Sequence, residues 1–425
     1  MNKVSNSVLN EAYYHSKLPN GIDLFVIEKP EYKTSVCCFG TPYGALNLRQ
    51  QYGDDKHCFH SGLAHFLEHK LFESDECDVM KKFSDLGANV NAFTSFTETV
   101  YYFSTITDNL SPCLNLLLDF VQDLNINYEN VEKEKGIIKQ EVLMYRNMPI
   151  SRLFREVFAS LYSKYPLKYD IGGSLEDIEK ISVDELYTAY NLNYHPSNMK
   201  LIVVSPYAHK DILAMVLTNQ SRKQFSESIK LNTIFDDEPK EVARKEYVLA
   251  MSVNETKNAY AIKLGPSAYD IKGLFKKEWS IRILLEMIFS PINPEYQQWL
   301  DQEIINDFFG YEIEIDKDHG ELIFYCEKHD PKYLKEFIDN KLKGYQINLE
   351  NFEILKRRYL SLFFNNLNDI EEYAIDFARG ILNNHVLFDE IEIIKSITIE
   401  DLKKYFSELS FENYSLVSII NDKEC

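Results

Sequence analysis

Basic residues are scarce beside acidic ones: 46 Lys and Arg stand against 66 Asp and Glu, a formal net charge of −20. A nucleic-acid binder needs a basic face that displaces counterions from phosphate, and no basic stretch here supplies one. Nucleic acid is therefore not expected as a partner. Glycine and proline are few, 15 and 13 in 425 residues, which excludes collagen-like and low-complexity chains. No run reaches the roughly 18 apolar residues of a membrane span, so no membrane partner is expected. The opening MNKVSNSVLNEAYYHSKLPN lacks the apolar stretch and small-residue cleavage pattern of a secretory signal. Seven cysteines, at 37, 38, 58, 77, 113, 326 and 425, form no C-x-x-C pair and are odd in number. They predict reduced thiols and a cytoplasmic setting, not a disulfide framework.

What the chain does have is apolar and aromatic substance, 45% hydrophobic and 13% aromatic. At about 150 residues per domain the length predicts two or three folded units. Apolar patterning predicts strands at 22–28 and 34–39, then a polar, His-bearing loop at 50–60. A helical pattern starts at Ser61-Gly62, both suited to a helix start. Strands follow at 88–96 and 99–105 around a polar turn at Thr97-Glu98, then helices at 110–124 and 131–147, the latter stopped by Pro149, and a strand at 199–205. Residues 218–244 are polar and charged, as an interdomain linker would be. Beyond them the order restarts: strands near 245–252 and 259–264, a helix near 278–289, strands near 311–315 and 321–326, and a helix-rich tail. The expected fold class is α+β, with two similar halves, residues 1–217 and 245–425. Each half is a mostly antiparallel sheet with helices largely on one face.

The strongest chemical signal is His65-Phe66-Leu67-Glu68-His69. Positions i and i+4 of a helix stand one turn apart on the same face, so two imidazoles there can share one metal ion. Glu68 flanks that face and can take a proton from a water on the metal. The pattern is H-x-x-E-H, the inverted zinc motif. A catalytic zinc needs a third protein ligand and one open position. Glu134 and Glu141, two turns apart on the helix at 131–147, share a face. One can bind zinc while the other supports a histidine through its second ring nitrogen, and spacing does not say which does which. The plain alternative for this helix is a solvated charged face, since it also carries Glu132, Lys133 and Lys135.

Residues 61–72 (SGLAHFLEHKLF) resemble the zinc helix of the pitrilysin/insulinase family of metallopeptidases, which includes mitochondrial processing peptidase. Residues 87–103 (GANVNAFTSFTETVYYF) resemble the strand pair that follows it, 134–147 (EKGIIKQEVLMYRN) the helix of the third ligand, and 195–205 (HPSNMKLIVVS) the end of the first domain. The resemblance implies one zinc ion per chain on His65, His69 and Glu141, Glu68 as general base, and Glu134 supporting a ligand. It implies that Asn91, Ala92 and Thr94 lie on an edge strand where a substrate backbone adds. Residues 1–217 become the zinc-binding catalytic domain and 245–425 a homologous domain without zinc.

In active members a later helix and turn carry an Arg and, seven residues on, a Tyr that help hold the substrate. The matching stretch, 290–309 (SPINPEYQQWLDQEIINDFF), places Asp301 and Phe308 there, with Tyr296 and Tyr311 off register. That departure leads to the expectation of a heterodimer, whose homologous partner lacks H-x-x-E-H and supplies the Arg/Tyr pair. The likeness to short bacterial members implies a zinc endopeptidase acting on peptides, such as the leader of a ribosomally made bacteriocin precursor. The alternative is a structural or scaffolding homologue without turnover. His57, His60, Cys58 and Cys77 are not expected as ligands, and His195 is expected to pack at a helix–strand junction.

Overall fold

The computed structural model describes residues 1–6, 9–73, 79–228, 230–328 and 330–422. Two sheets carry the molecule, and they share one pattern. In the first, Asp23–Glu28 pairs parallel with Lys200–Ser205, which pairs antiparallel with Thr34–Thr41. That strand pairs with Thr99–Ile106, and Ala88–Thr94 closes the edge. In the second, Glu246–Met251 pairs parallel with Tyr414–Asn421, then Lys257–Lys263, Gly320–Glu327 and the edge strand Gly310–Ile315 follow antiparallel. The expected duplication is thus a duplication of strand order. The first sheet adds two outer strands, Asn2–Asn6 and Glu11–Lys17.

Alternation along the strands explains how each sheet is covered. In the first, Cys37, Phe39, Leu201 and Val203 face the cluster that contains Leu63, Phe66, Leu67, Leu114 and Leu117. Their neighbours Val36, Cys38, Ile202 and Val204 point the other way and are also fully buried. A helix from late in the chain, Ile370–Leu382, packs there against Thr34–Thr41 and Lys200–Ser205, and Phe377 meets Phe25 at 5.9 Å. The second sheet is treated likewise. Its main core gathers Tyr260, Ile262, Leu284, Ile288 and Phe324, and the helix Pro149–Leu161 packs on Lys257–Lys263 and Tyr414–Asn421.

The compact units are accordingly interleaved. One comprises Met1–Val142, Tyr169–Phe235 and Phe364–Phe388; the other comprises Leu143–Lys168, Asp236–Phe363 and Asp389–Cys425. The division into 1–217, 218–244 and 245–425 follows chain order, whereas compactness assigns one helical segment across that order in each direction. The 218–244 stretch also holds a short strand, Leu231–Thr233. It pairs with Arg49–Tyr52, which itself forms a hairpin with Asp55–Cys58. The loop expected at 50–60 is therefore largely a polar hairpin, whose RQQY and DKHC strands carry no apolar alternation. Among the described residues no helix is long and apolar enough to cross a membrane.

Candidate metal centre

All the residues of this site belong to the first unit. The helix Leu63–Phe72 buries Leu63, Ala64, Phe66, Leu67, Lys70 and Leu71. That stripe leaves His65, Glu68 and His69 together on the opposite face. The helix starts on Gly62 with φ +88°, a left-handed conformation that favours glycine. A Cβ on Gly62 would strike the Gly172 carbonyl, and one on Gly173 (φ +84°) would strike Ser61. Ser61 does not cap the helix. Its hydroxyl donates to Asp177 Oδ2 at 2.6 Å and accepts from the Ser174 N–H at 3.1 Å, tying the helix start to the N-terminus of Leu175–Lys180.

The carboxylates come from the helix Tyr128–Asn147. It begins a turn earlier than its apolar pattern suggests, because Asn127 and Asn130 cap each other's N–H groups at 2.9 Å. Its buried stripe of Val131, Glu134, Ile138 and Val142 carries Glu134 inward. Glu141 Oε1 lies 3.8 Å from His65 Nε2, and Glu141 Oε2 lies 3.5 Å from His69 Nε2. Glu134 Oε1 lies 2.9 Å from His69 Nδ1. A carboxylate only accepts, so Nδ1 carries a proton and Nε2 is turned to the Glu141 side. Structure thereby separates two acids that spacing leaves equivalent: Glu141 faces both imidazoles, and Glu134 grips one from behind.

The fit to a zinc ion rests on these separations. Two ligands about 2.0–2.1 Å from one tetrahedral ion stand roughly 3.3–3.5 Å apart. The Glu141 contacts are near that span and too long for hydrogen bonds. Ligand atoms of His65, His69 and Glu141 lie within 4.8 Å of one another, and His65 Nδ1 is buried without a hydrogen-bond partner among the described residues. Burial, then the neighbouring His69, push His65 down to about 3, so it presents neutral imidazole. Burial also disfavours the charged form of His69, but the hydrogen bond and charge of Glu134 outweigh it and raise His69 above the usual imidazole value. Three carboxylates around two imidazoles, one of them neutral, form a donor set short of positive charge. The residues present fit a divalent zinc ion.

Glu68 has its own support. Burial raises its carboxyl above the usual range, with Glu141 adding to the rise and the Thr94 bond and His69 opposing it. Thr94 Oγ1 donates to Glu68 Oε2 at 2.7 Å. Thr94 closes the edge strand Ala88–Thr94, so the strand that carries Asn91 and Ala92 also steadies Glu68. The place of Thr94 on an expected substrate strand carries no local signal for this bond. Asn91 is exposed, and its Oδ1 accepts the Ala92 N–H at 2.9 Å. The turn after the strand is held from far away: Glu98 accepts from Asn383 Nδ2 at 2.9 Å and from Arg379 Nε at 3.4 Å. The Arg379 guanidinium also lies 5.0 Å over Phe93. Nothing in local sequence links residues so distant.

The other candidates lie elsewhere. His60 Nδ1 pairs with Glu185 at 2.9 Å, and His57 stacks beside Phe59. His195 is buried, between Ser197 Oγ at 2.8 Å and the Ser226 carbonyl at 3.2 Å. Cys58 is an exposed free thiol, and Cys77 lies outside the described residues. In the second unit Asp301 ends the helix Tyr296–Asp301 and accepts from Gln297 at 2.9 Å. The Phe308 ring packs on Tyr325, and the Tyr311 hydroxyl donates to Glu286 Oε2 at 2.7 Å.

Comparison with known proteins places the chain among peptidases. The family model described as insulinase (peptidase family M16) matches residues 59–174, and that of the peptidase M16 inactive domain matches residues 180–358. The chain is 35% identical over 404 residues, 94% of each chain, to the uncharacterized zinc protease YmfH of Bacillus subtilis. It is 27% identical over 174 residues, 40% of this chain and 35% of the other, to the mitochondrial-processing peptidase subunit beta of Rattus norvegicus. The crystal structure of an M16-like peptidase from Alicyclobacillus acidocaldarius superposes with a TM-score of 0.90 at 28% identity, covering 97% of this chain and 98% of that one.

Proposed function

Since the chain belongs to the insulinase family, peptidase family M16, we propose that it is a zinc-dependent endopeptidase hydrolysing peptides. The observation that carries this reading is the convergence of His65, His69 and Glu141 with Glu68 beside them. One zinc ion held there supplies a Lewis acid that polarises the peptide carbonyl and acidifies water. The chain's own groups do the rest. Glu68 accepts the proton of the attacking water and returns it to the leaving amine; its raised carboxyl suits that exchange. Thr94 fixes the Glu68 carboxylate, and Glu134 fixes the His69 ring. The edge strand Ala88–Thr94 aligns a substrate backbone by main-chain pairing, with Asn91 and Ala92 as its contact residues.

The finer reading is a cytoplasmic precursor-peptide processor that acts as the zinc subunit of a heterodimer. Asp301 and Phe308 support it, because neither offers the cation or hydroxyl expected at those positions. The free cysteines at 37, 38, 58, 113 and 326 suit a reducing compartment.

The test is cleavage of a fluorogenic peptide library by the zinc-loaded chain, alone and co-expressed with a homologous partner lacking H-x-x-E-H. Chelator-sensitive cleavage that rises with the partner is expected. The variant Glu68→Gln is expected to retain zinc and lose turnover by about 10²–10⁴-fold. A metal-loaded Glu68→Gln protein that still cleaves at the parental rate removes Glu68 from the mechanism. Full activity of the lone chain removes the heterodimer, and inertness in every combination leaves the scaffold reading.

A further inference from the structure

The second unit holds a group of ionisable side chains, two of them buried, that this reaction does not use. The hairpin of Gly310–Ile315 and Gly320–Glu327 sets Glu314 directly opposite Glu321. Like charges facing across a strand pair repel, and Glu321 is only 2% exposed. The tight turn between the strands places His319, 3% exposed, beside both. Its Nε2 is buried, has no hydrogen-bond partner among the described residues, and stands 3.3 Å from Glu314 Oε1. Its Nδ1 meets the Tyr165 hydroxyl at 3.1 Å, while the Tyr162 hydroxyl donates to Glu321 Oε2 at 2.5 Å. Two nearby cations are committed elsewhere. Arg282 bonds Glu278 at 3.1 Å and the Ile313 carbonyl at 3.0 Å, and Lys263 bonds Glu238 at 2.6 Å.

We propose that Glu314, His319 and Glu321 form a second divalent-cation site, which takes zinc(II) through His319 Nε2 and one carboxylate oxygen from each glutamate. Candidate ligand atoms of the three lie within 4.8 Å of one another. Imidazole nitrogen and carboxylate oxygen are both zinc ligands, and three protein ligands leave a fourth position open. Tyr165 on the far ring nitrogen and Tyr162 on the buried carboxylate are the outer partners that orient such ligands. A divalent ion supplies positive charge where the two glutamates oppose each other across the hairpin. Its effect is to pin the hairpin turn of the second unit. The expected zinc content rises from one ion per chain to two.

The site is tested apart from peptidase activity. The full chain is stripped with chelator, equilibrated with excess zinc and freed of loose metal, and its zinc is counted by mass spectrometry. Two ions are expected in the parent, one in Glu314→Gln, one in the double variant His65→Ala/His69→Ala, and none when the three changes are combined. In the double variant, added zinc should still raise the melting temperature, and Glu314→Gln should abolish that rise. The Glu314 side chain is 55% exposed, so its replacement tests the site even if His319→Gln fails to fold. One ion in the parent and none in the double variant would overturn the proposal. So would a second ion indifferent to Glu314→Gln, which would be adventitious zinc only.

Discussion

Single side chains decide the chemistry of the metal centre, and Thr94 is the sharpest case. Its hydroxyl holds Glu68 at 2.7 Å from a neighbouring strand. A hydrogen bond to a charged group contributes about 1.5–3 kcal/mol, so Thr94→Val should lower kcat roughly tenfold or more while zinc content stays unchanged. Steady-state kinetics alongside metal analysis checks this, and an unaltered kcat would reduce Thr94 to a strand residue. The histidines and Glu68 were legible in the sequence because one helix turn brings them together within five residues. The roles of Glu134 and Glu141 are not separable that way: both lie on one face of a helix, and the contacts of Glu134 with His69 Nδ1 and of Glu141 with both Nε2 atoms distinguish them. Thr94 was read for its strand and not its hydroxyl, since a bond between residues 26 apart leaves no local pattern.

Helices and strands hold that chemistry in place through backbone contacts that tolerate little bulk. Gly173 has φ +84° and abuts Ser61, whereas Gly53, at φ +60°, has open space around its Cα. Gly173→Ala should therefore destabilise by about 1–3 kcal/mol, and Gly53→Ala by less. Thermal melts of the two variants give the comparison, and equal losses would refute the argument. A second restraint is ionic. The Glu238 carboxylate accepts the N–H groups of Ser163, Lys164 and Tyr165 and pairs with Lys263. Burial opposes its charge, but the Lys263 bond and these N–H groups prevail and hold it down at about 2, against an ordinary value of 4.5. A carboxyl lowered on folding stabilises fully above pH 4.5, and that contribution fades as pH falls toward 2. Glu238→Gln should cost stability at pH 7, and its melting point should converge on the parent's between pH 4.5 and 2. A gap that stays constant with pH would show that charge is not the source. Element positions were mostly legible, since strands such as Thr34–Thr41 and Lys200–Ser205 are apolar on both faces. The Arg49–Cys58 hairpin was not, because its side chains are polar and its strands are four residues long.

Across the whole molecule, the repeated strand order was visible as a restart of elements, but the assignment of helices to sheets was not. An amphipathic stripe says that a helix is covered, not by which sheet. Ile370–Leu382 and Pro149–Leu161 both carry such stripes, and each lies with the unit distant from it in chain order. A fragment of residues 1–235 lacks Ile370–Leu382 and leaves Val36, Cys38, Ile202 and Val204 uncovered. It should melt without a cooperative transition and bind an apolar dye, and a fragment spanning residues 364–388 added in trans should restore cooperativity. A cooperatively folded 1–235 fragment would show that the late helix is dispensable. The same interleaving bears on biosynthesis. A ribosome making this chain releases His65, His69 and Glu141 long before it reaches Phe388, so the sheet beside the candidate centre waits with one side bare while a further two hundred or so residues are added. The last part of translation, not the first, completes the unit that carries the candidate metal centre, and a nascent chain stalled before that point is the form most exposed to aggregation and most in need of a chaperone.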